Sequence, residues 1–395
     1  MALGSIGAST ASARTLVVDD NRAQCPTAAF RTIQSAVDAA AAGDTVDVCP
    51  GSYQEQVYIQ PAQTGLVLES TQPRLATIRG PKSFPGDAPG SPALRAIVVA
   101  AAAHAVVRGF RILGPLPDRA SCATGFTHDT GVQVGASDVQ VDDNDISDVR
   151  DNCGDGTGIW AGDAEDELGL GFGGGGSVLS DNLVEQYRTT GIVVETGEPR
   201  VRIVDNEIVG AQSRPNVGIA TGQEGSIDAE DNFVHGNLTT AISLTGSFAD
   251  ETQIVNANRI RGNGVGIETG GFMGSPALIT DNDISASRAD GILDQPWYAS
   301  TIVANSVYDN GANGLTLNGP GGSVQGNTML RNRGDAIHVG SDAIGYAIDG
   351  NSASGSHGLD CRDTTGPGGS GTAGTNNTWT ADHGTTRSPA TICTP

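Results

Sequence analysis

The sequence predicts an all-β chain, a single-stranded right-handed parallel β-helix (a solenoid) with an N-terminal capping helix. Three observations predict it. An asparagine recurs about every 24 residues, aliphatic side chains flank it at fixed offsets, and a Gly-aliphatic pair recurs between successive asparagines.

Residues 1–14 read as a residual export signal or a disordered N-terminus. They contain Ala11-Ser12-Ala13, an Ala-x-Ala-like cleavage signature, without the charged start and full apolar stretch of an intact signal. Residues 30–42 read as the capping helix, because Phe30, Ile33, Val37 and Ala40 fall at helical spacing and Gly43 follows. Such a helix would cover apolar side chains and strand edges at the open end of a solenoid. Asp44 to Val48 then opens the first strand.

The solenoid is expected over residues 15–361. Its markers are Asn144, Asn182, Asn206, Asn232, Asn258, Asn282, Asn305, Asn327 and Asn351. Three residues before them stand Val141, Leu179, Ile203, Ala229, Val255, Ile279, Ile302, Val324 and Ile348, all but one a large aliphatic. Two residues after come Ile146, Val184, Ile208, Val234, Ile260, Ile284, Val307, Met329 and Ala353. The Gly-aliphatic pairs run from Gly131-Val132 to Gly314-Leu315, with Ala241-Ile242 and Ala336-Ile337 as substitutes. Each repeat therefore reads as two or three short strands joined by tight bends. None can bury its aliphatics alone, so at least nine coils must stack. The asparagine is expected at a bend, in left-handed backbone, with its amide paired to the next at about 4.8 Å. Residues 362–395 read as a C-terminal loop or tail beyond the last coil, tied back by a Cys361–Cys393 disulfide.

Charge and cysteines set the surroundings. A net charge of −23 opposes nucleic acid and anionic membrane, and no apolar run is long enough to span a bilayer. The six cysteines lack metal-ligand spacing and fall as sequence neighbours. They predict the disulfides Cys25–Cys49, Cys122–Cys153 and Cys361–Cys393, and hence a secreted, extracellular chain.

The stretch Phe30–Ala40, followed by Gly43 to Glu55, resembles the opening of the pectin-lyase-like superfamily of right-handed parallel β-helices, and with the asparagine ladder the resemblance covers residues 15–360. Gly51, Tyr53 and Glu55 resemble the first motif of pectin methylesterases. That superfamily holds lyases, hydrolases, esterases, epimerases, fructan transferases and non-enzymatic members, so the resemblance implies fold rather than chemistry. The paired aspartates of methylesterases, the Asp-Pro-His-Glu motif of alginate epimerases and the Arg-Ile-Lys element of polygalacturonases are missing. Trp379, Asp382 and His383 resemble a pectate lyase element with one residue too many, placed beyond the last expected coil. Side-by-side trimers occur in this fold, so a monomer or a homotrimer is expected.

In such a fold the outward residues of the Gly-aliphatic strands face a groove. The register places Gln133, Trp160, Ser243, Glu268, Leu293, Thr316 and His338 in one outward column, with Glu195, Gln295 and Asn318 beside it. The catalytic candidates are Asp163, Glu195, Glu268, Arg188 and His128. The substrate-binding candidates are Trp160, Arg214, Arg288, Trp297 and Tyr298. Carboxylates one or two coils apart have the spacing of a glycosidase pair, which selects Asp163 with Glu195. Aromatics suit the apolar faces of sugar rings, and arginines suit carboxylate-bearing sugars. No metal ligand set is assigned. Calcium is the one candidate cofactor, at Asp142–Asp145 or Asp163–Glu167, where oxygen ligands cluster. The reading is a secreted carbohydrate-active enzyme that cleaves glycosidic bonds with paired carboxylates, its partner a carbohydrate. The alternatives are a polysaccharide lyase using Arg, His or Tyr with calcium, and a non-catalytic glycan-binding or cell-surface β-helix.

Overall fold

The computed structural model describes residues 12–84, 95–119, 122, 129–162, 174–195, 199–211, 213–222, 224–245, 251–270, 276–295 and 299–395. Their strands form three parallel sheets of 14, 12 and 13 strands, wound into about 13 turns. Each complete coil gives one strand to each sheet in succession. Gln140–Asp142, Asp145–Ser147 and Thr157–Ala161 make one coil, on what are here called the first, second and third sheets.

The aliphatics that flank the asparagines are the core. Val141, Leu179 and Ile203 point inward from the first sheet, Ile146, Val184 and Ile208 from the second, and all are buried. Ile159, Ile192 and Ile219 close the cylinder from the third sheet. The Gly-aliphatic pair is a packing device more than a bend. A Cβ on Gly191 would lie 2.6 Å from Ile208 Cγ2 and 2.7 Å from the Gly218 carbonyl oxygen, so the second-sheet aliphatic occupies that space.

The asparagine ladder is continuous. From Asn144 to Asn351 each Nδ2 donates to the next Oδ1 at 2.9–3.1 Å. Each Oδ1 also accepts the backbone N–H of the asparagine below it. The sequence expectation that these asparagines are left-handed is not met. The residue before each takes positive φ: Asp143 (52°), Asp181 (54°), Asp205 (55°), Asp231 (54°), Ala257 (54°), Asp281 (55°), Ala304 (57°), Gly326 (61°) and Gly350 (65°). The preceding residue absorbs the bend, which frees the asparagine to send its amide inward along the axis. Alanine is the costly choice there, since left-handed backbone costs an L-residue roughly 1–2 kcal/mol. Ala257→Gly and Ala304→Gly should each therefore raise unfolding stability by about 0.5–1 kcal/mol in chemical denaturation, after the entropy lost to a freer unfolded glycine.

The cap is shorter than its sequence pattern. The helix is Ile33–Ala39, with Thr32 as N-cap, and Ala40 is already extended, so Gly43 lies past its end. Phe30 bridges Val18 as an extended residue instead of joining the helix. Ile33, Ala36 and Val37 are buried against the first coils. The Glu55 carboxylate accepts the N–H groups of Ile33 and Gln34, both at 2.9 Å, so the methylesterase-like Glu55 is a helix cap here.

The C-terminal expectation is corrected. Residues 362–395 continue the stack: Thr378–Thr380 extends the first sheet and Arg387–Ser388 the third. Trp379 pairs in register with Ile348, is buried, and donates its indole N–H to Asp363 at 2.9 Å. Asp382 ends the asparagine ladder by accepting Asn351 Nδ2 at 2.8 Å. The pectate-lyase-like Trp379 and Asp382 are thus end-coil structure, which the sequence hid because the loop before them breaks the repeat. All three expected disulfides are formed.

Candidate functional site

The outward column of the third sheet follows the sequence reading. Gln133, Trp160, Val193, Ala220, Ser243, Glu268, Leu293, Thr316 and His338 are successive neighbours across the parallel ladder. Alternation on a pleated strand puts them outward, because their neighbours Ile159, Ile192 and Ile267 fill the core.

Trp160 and Glu195 come together on this wall. The Trp160 indole N–H donates to Glu195 Oε2 at 3.1 Å. Glu195 lies between two glycines of adjacent coils: a Cβ on Gly162 would be 3.1 Å from its Cβ, and one on Gly222 only 2.3 Å from its Cγ. The glycines leave the lane in which this side chain lies. Trp160 is 8% exposed, so its edge is engaged and its faces are mostly covered. Glu268 accepts from Thr240 Oγ1 at 3.1 Å. It stands three coils from Glu195, roughly 14 Å along the axis, so these two carboxylates are not a pair. Asp163, His128, Trp297 and Tyr298 lie outside the described residues, as does the acidic run 163–167.

Arg188, Arg214 and Arg288 lie on the turns that lead into the third sheet, as expected. Arg188 and Arg288 are four coils apart, roughly 19 Å, so they line one edge and do not converge. Among the described residues none of the three makes an ion pair, although the chain is strongly acidic, and Arg333 on the same edge makes none either. Arg214, Arg288 and Arg333 are exposed.

Asp142, Asp143 and Asp145 do not converge on a cation. Asp143 pairs with Arg74 at 2.9 Å, Asp145 with Arg111 at 3.1 Å, and Asp142 accepts from Ser180. Among the described residues the only group with metal-ligand geometry is Asp19, Cys25 and Cys49. The cysteines there are joined as a disulfide, and the Asp19 carboxylate accepts four backbone N–H groups.

Two charged networks escaped the sequence reading. The first spans the later coils of the same wall. Asp335 Oδ2 binds His338 Nδ1 at 2.8 Å and Arg362 Nη1 at 3.4 Å, while its Oδ1 accepts the Leu359 N–H. One coil earlier, the Asn313 side chain accepts the Asp335 N–H and donates to Thr316 Oγ1, which donates to Asp290 Oδ2 at 3.0 Å. Burial raises the Asp290 carboxyl above the usual carboxylate range, only partly offset by its bonds to Asn313 and Thr316. The available signal was a polar residue three places before the outward position in consecutive coils: Asp290, Asn313 and Asp335.

The second network is buried where chain enters the third-sheet strand Thr130–Val134. Asp129 is bound by Arg95 at 2.5 Å and by Arg119 at 3.1 Å, and Arg119 also reaches Asp151 at 2.9 Å. Burial and the neighbouring Asp151 push the Asp129 carboxyl up to about 7, against the pull of the two arginines. Sequence could not show it, since Arg95, Arg119, Asp129 and Asp151 come from three different coils.

The right handed beta helix region family matches residues 212–353, and the periplasmic copper-binding protein (NosD) family matches residues 119–275. Among solved structures, XylC in complex with xylose is 12% identical, with 88% of this chain and 76% of XylC covered and a TM-score of 0.56. The Dettilon tailspike protein is 17% identical, with 93% and 67% covered and a TM-score of 0.51. The pectate lyase Pel9A is 16% identical, with 84% and 78% covered and a TM-score of 0.49. No curated protein matches the chain. The described residues within the NosD match do not fit copper. Cys122 and Cys153 are joined to each other, and His235 stacks on Phe233 and pairs with Glu207. The disulfides and the absence, among the described residues, of a helix able to cross a membrane are consistent with a periplasmic or extracellular location. With three parallel sheets, an unbroken asparagine ladder and the right handed beta helix region match over residues 212–353, the chain is a right-handed parallel β-helix.

Proposed function

We propose that the chain is a secreted carbohydrate-active enzyme that binds a glycan along the outer wall of the third sheet and cleaves its glycosidic bonds there. The observation that carries this reading is the continuous outward column from Trp160 to His338. It offers the Trp160 indole, the Ser243 and Thr316 hydroxyls, the Glu268 carboxylate and the His338 imidazole, interspersed with Val193, Ala220 and Leu293, at one residue per coil. A rod of this kind matches a linear polymer, whose successive sugars can each meet a coil or two. XylC, a structure of similar fold, was solved with a sugar bound, which supports a carbohydrate as the partner. Glycan turnover, followed by mass spectrometry across a polysaccharide panel with and without chelator, tests the reading. Absence of cleavage across the panel would reject it, and binding without cleavage would select a non-catalytic glycan-binding role.

Gly222→Ala offers a local test. The added methyl must displace Glu195, whose Cγ it would meet at 2.3 Å. If Glu195 serves the reaction, turnover should fall at least about 10-fold, while a surface change of this kind should leave stability within about 1 kcal/mol.

A further inference from the structure

We propose that the later coils of this wall form a proton-transfer centre for a carboxylate-bearing (uronate) glycan, with His338 as base, Asp335 as its positioning residue and Asp290 as the facing acid. The proposal rests on the glycan-cleaving reading above and names its substrate class and chemistry.

Three observations carry it. Asp335 is 5% exposed, and its carboxylate fixes the His338 ring by accepting from Nδ1 at 2.8 Å. That bond sets the tautomer and leaves Nε2, which has no partner among the described residues, as the basic atom. Asp290 sits two coils earlier, held through Thr316 and Asn313 in a hydrogen-bonded chain that runs on to Asp335. A substrate over Thr316 would therefore lie between a base and an acid whose positions are already fixed. The third observation concerns charge. On a protein of net charge −23, arginines usually find carboxylates, and among the described residues eleven arginines do so, Arg331 with Asp309 and Arg202 with Asp228 among them. Arg288 and Arg333, two residues before Asp290 and Asp335, are exposed and make no ion pair among the described residues. Cations left open at the edge of an acidic protein's groove suit a ligand that brings its own negative charge.

The step balances on these groups alone. His338 Nε2 takes the proton on the carbon next to the sugar carboxylate. The electron pair released forms a carbon–carbon double bond to the adjacent ring carbon, and that carbon's bond to the glycosidic oxygen breaks. The departing oxygen takes the proton of the Asp290 carboxyl. An arginine of the edge holds the sugar carboxylate, whose negative charge grows as the carbon proton leaves.

The test uses the full-length protein with polyuronates and neutral polysaccharides, read by ultraviolet absorbance of unsaturated products and by mass spectrometry. Unsaturated products from a uronate are expected. Turnover should fall at least about 100-fold in both His338→Ala and His338→Gln, and in Asp290→Asn, with unfolding midpoints near that of the wild type. Asp335→Asn should reduce turnover less and displace the pH–rate profile, whereas a merely structural Asp335 would leave the profile in place. Arg288→Ala and Arg333→Ala should act mainly on KM. Saturated, hydrolytic products would overturn this centre while keeping the glycan-cleaving reading, and undiminished elimination by folded His338→Gln would overturn it as well. No cleavage of any glycan would overturn both.

Discussion

Asn232→Ala should destabilise the protein by about 3–6 kcal/mol, measured by chemical denaturation, because it breaks the buried ladder in the middle. Asn232 accepts the Asn206 backbone N–H and the Asn206 side chain, both at 3.0 Å, and donates to the carbonyls of Ile203 and Glu230 and to Asn258 Oδ1. It is 1% exposed, so water cannot replace it without opening the coil. Alanine leaves the Asn206 amide groups, the Ile203 carbonyl and Asn258 Oδ1 short of partners, each at a cost of about 1–3 kcal/mol when buried. The effect should weaken toward the end of the ladder. Asn351 accepts from Asn327 as Asn232 does from Asn206, but above it the row ends at Asp382, so Asn351→Ala interrupts the ladder on one side only. Equal effects at Asn232 and Asn351 would argue that the ladder is not cooperative. A loss below about 1 kcal/mol at Asn232 would show that the amides are not the stabilising element.

Asp129→Ala should cost about 3–5 kcal/mol, since it strips the shared carboxylate from two arginines in the interior. Arg95 and Arg119 side chains are 3% and 12% exposed, so neither can reach water to compensate. The pH dependence is separable from that loss. The folded Asp129 carboxyl titrates at about 7, above the ordinary aspartate value. A raised carboxyl pKa means the folded state holds a proton that the unfolded state has released. Its contribution is therefore full at low pH and is lost as pH rises from about 4 toward 7. Asp151 is shifted the other way, lowered chiefly by its bond to Asp129 against the opposing effect of burial, so its contribution is lost as pH falls. Asp129→Asn keeps a neutral group at the site and should flatten the fall in stability between pH 4 and 7. Thermal melts of the two proteins across that range check this, and an unchanged slope would remove Asp129 as its source.

Much of the fold was legible because a solenoid repeats its physics. A strand of period 2 facing a narrow core must place aliphatics at fixed offsets. A bend buried in every coil needs an amide to satisfy it, so Val141, Asn144 and Ile146 announce the same geometry as Ile302, Asn305 and Val307. The outward column from Gln133 to His338 followed from the same arithmetic, which set Trp160 and Glu195 on one wall but did not show the hydrogen bond between them. The cysteine pairs were legible because neighbouring coils bring near sequence neighbours together.

The sequence by itself determined the cylinder, its inward and outward faces and its covalent ties, because these depend on local periodicity and on charge and cysteine counts. Only the tertiary structure decided which polar side chains meet. Asp290, Asn313 and Asp335 lie 22 or 23 residues apart, yet the stack makes them neighbours, and the same winding gathers Arg95, Arg119, Asp129 and Asp151. The physical reason is that a hydrogen bond or ion pair acts over about 3 Å between side-chain tips. A repeat fixes the position of each Cα along the axis, but not how far each long side chain leans toward the coil above or below.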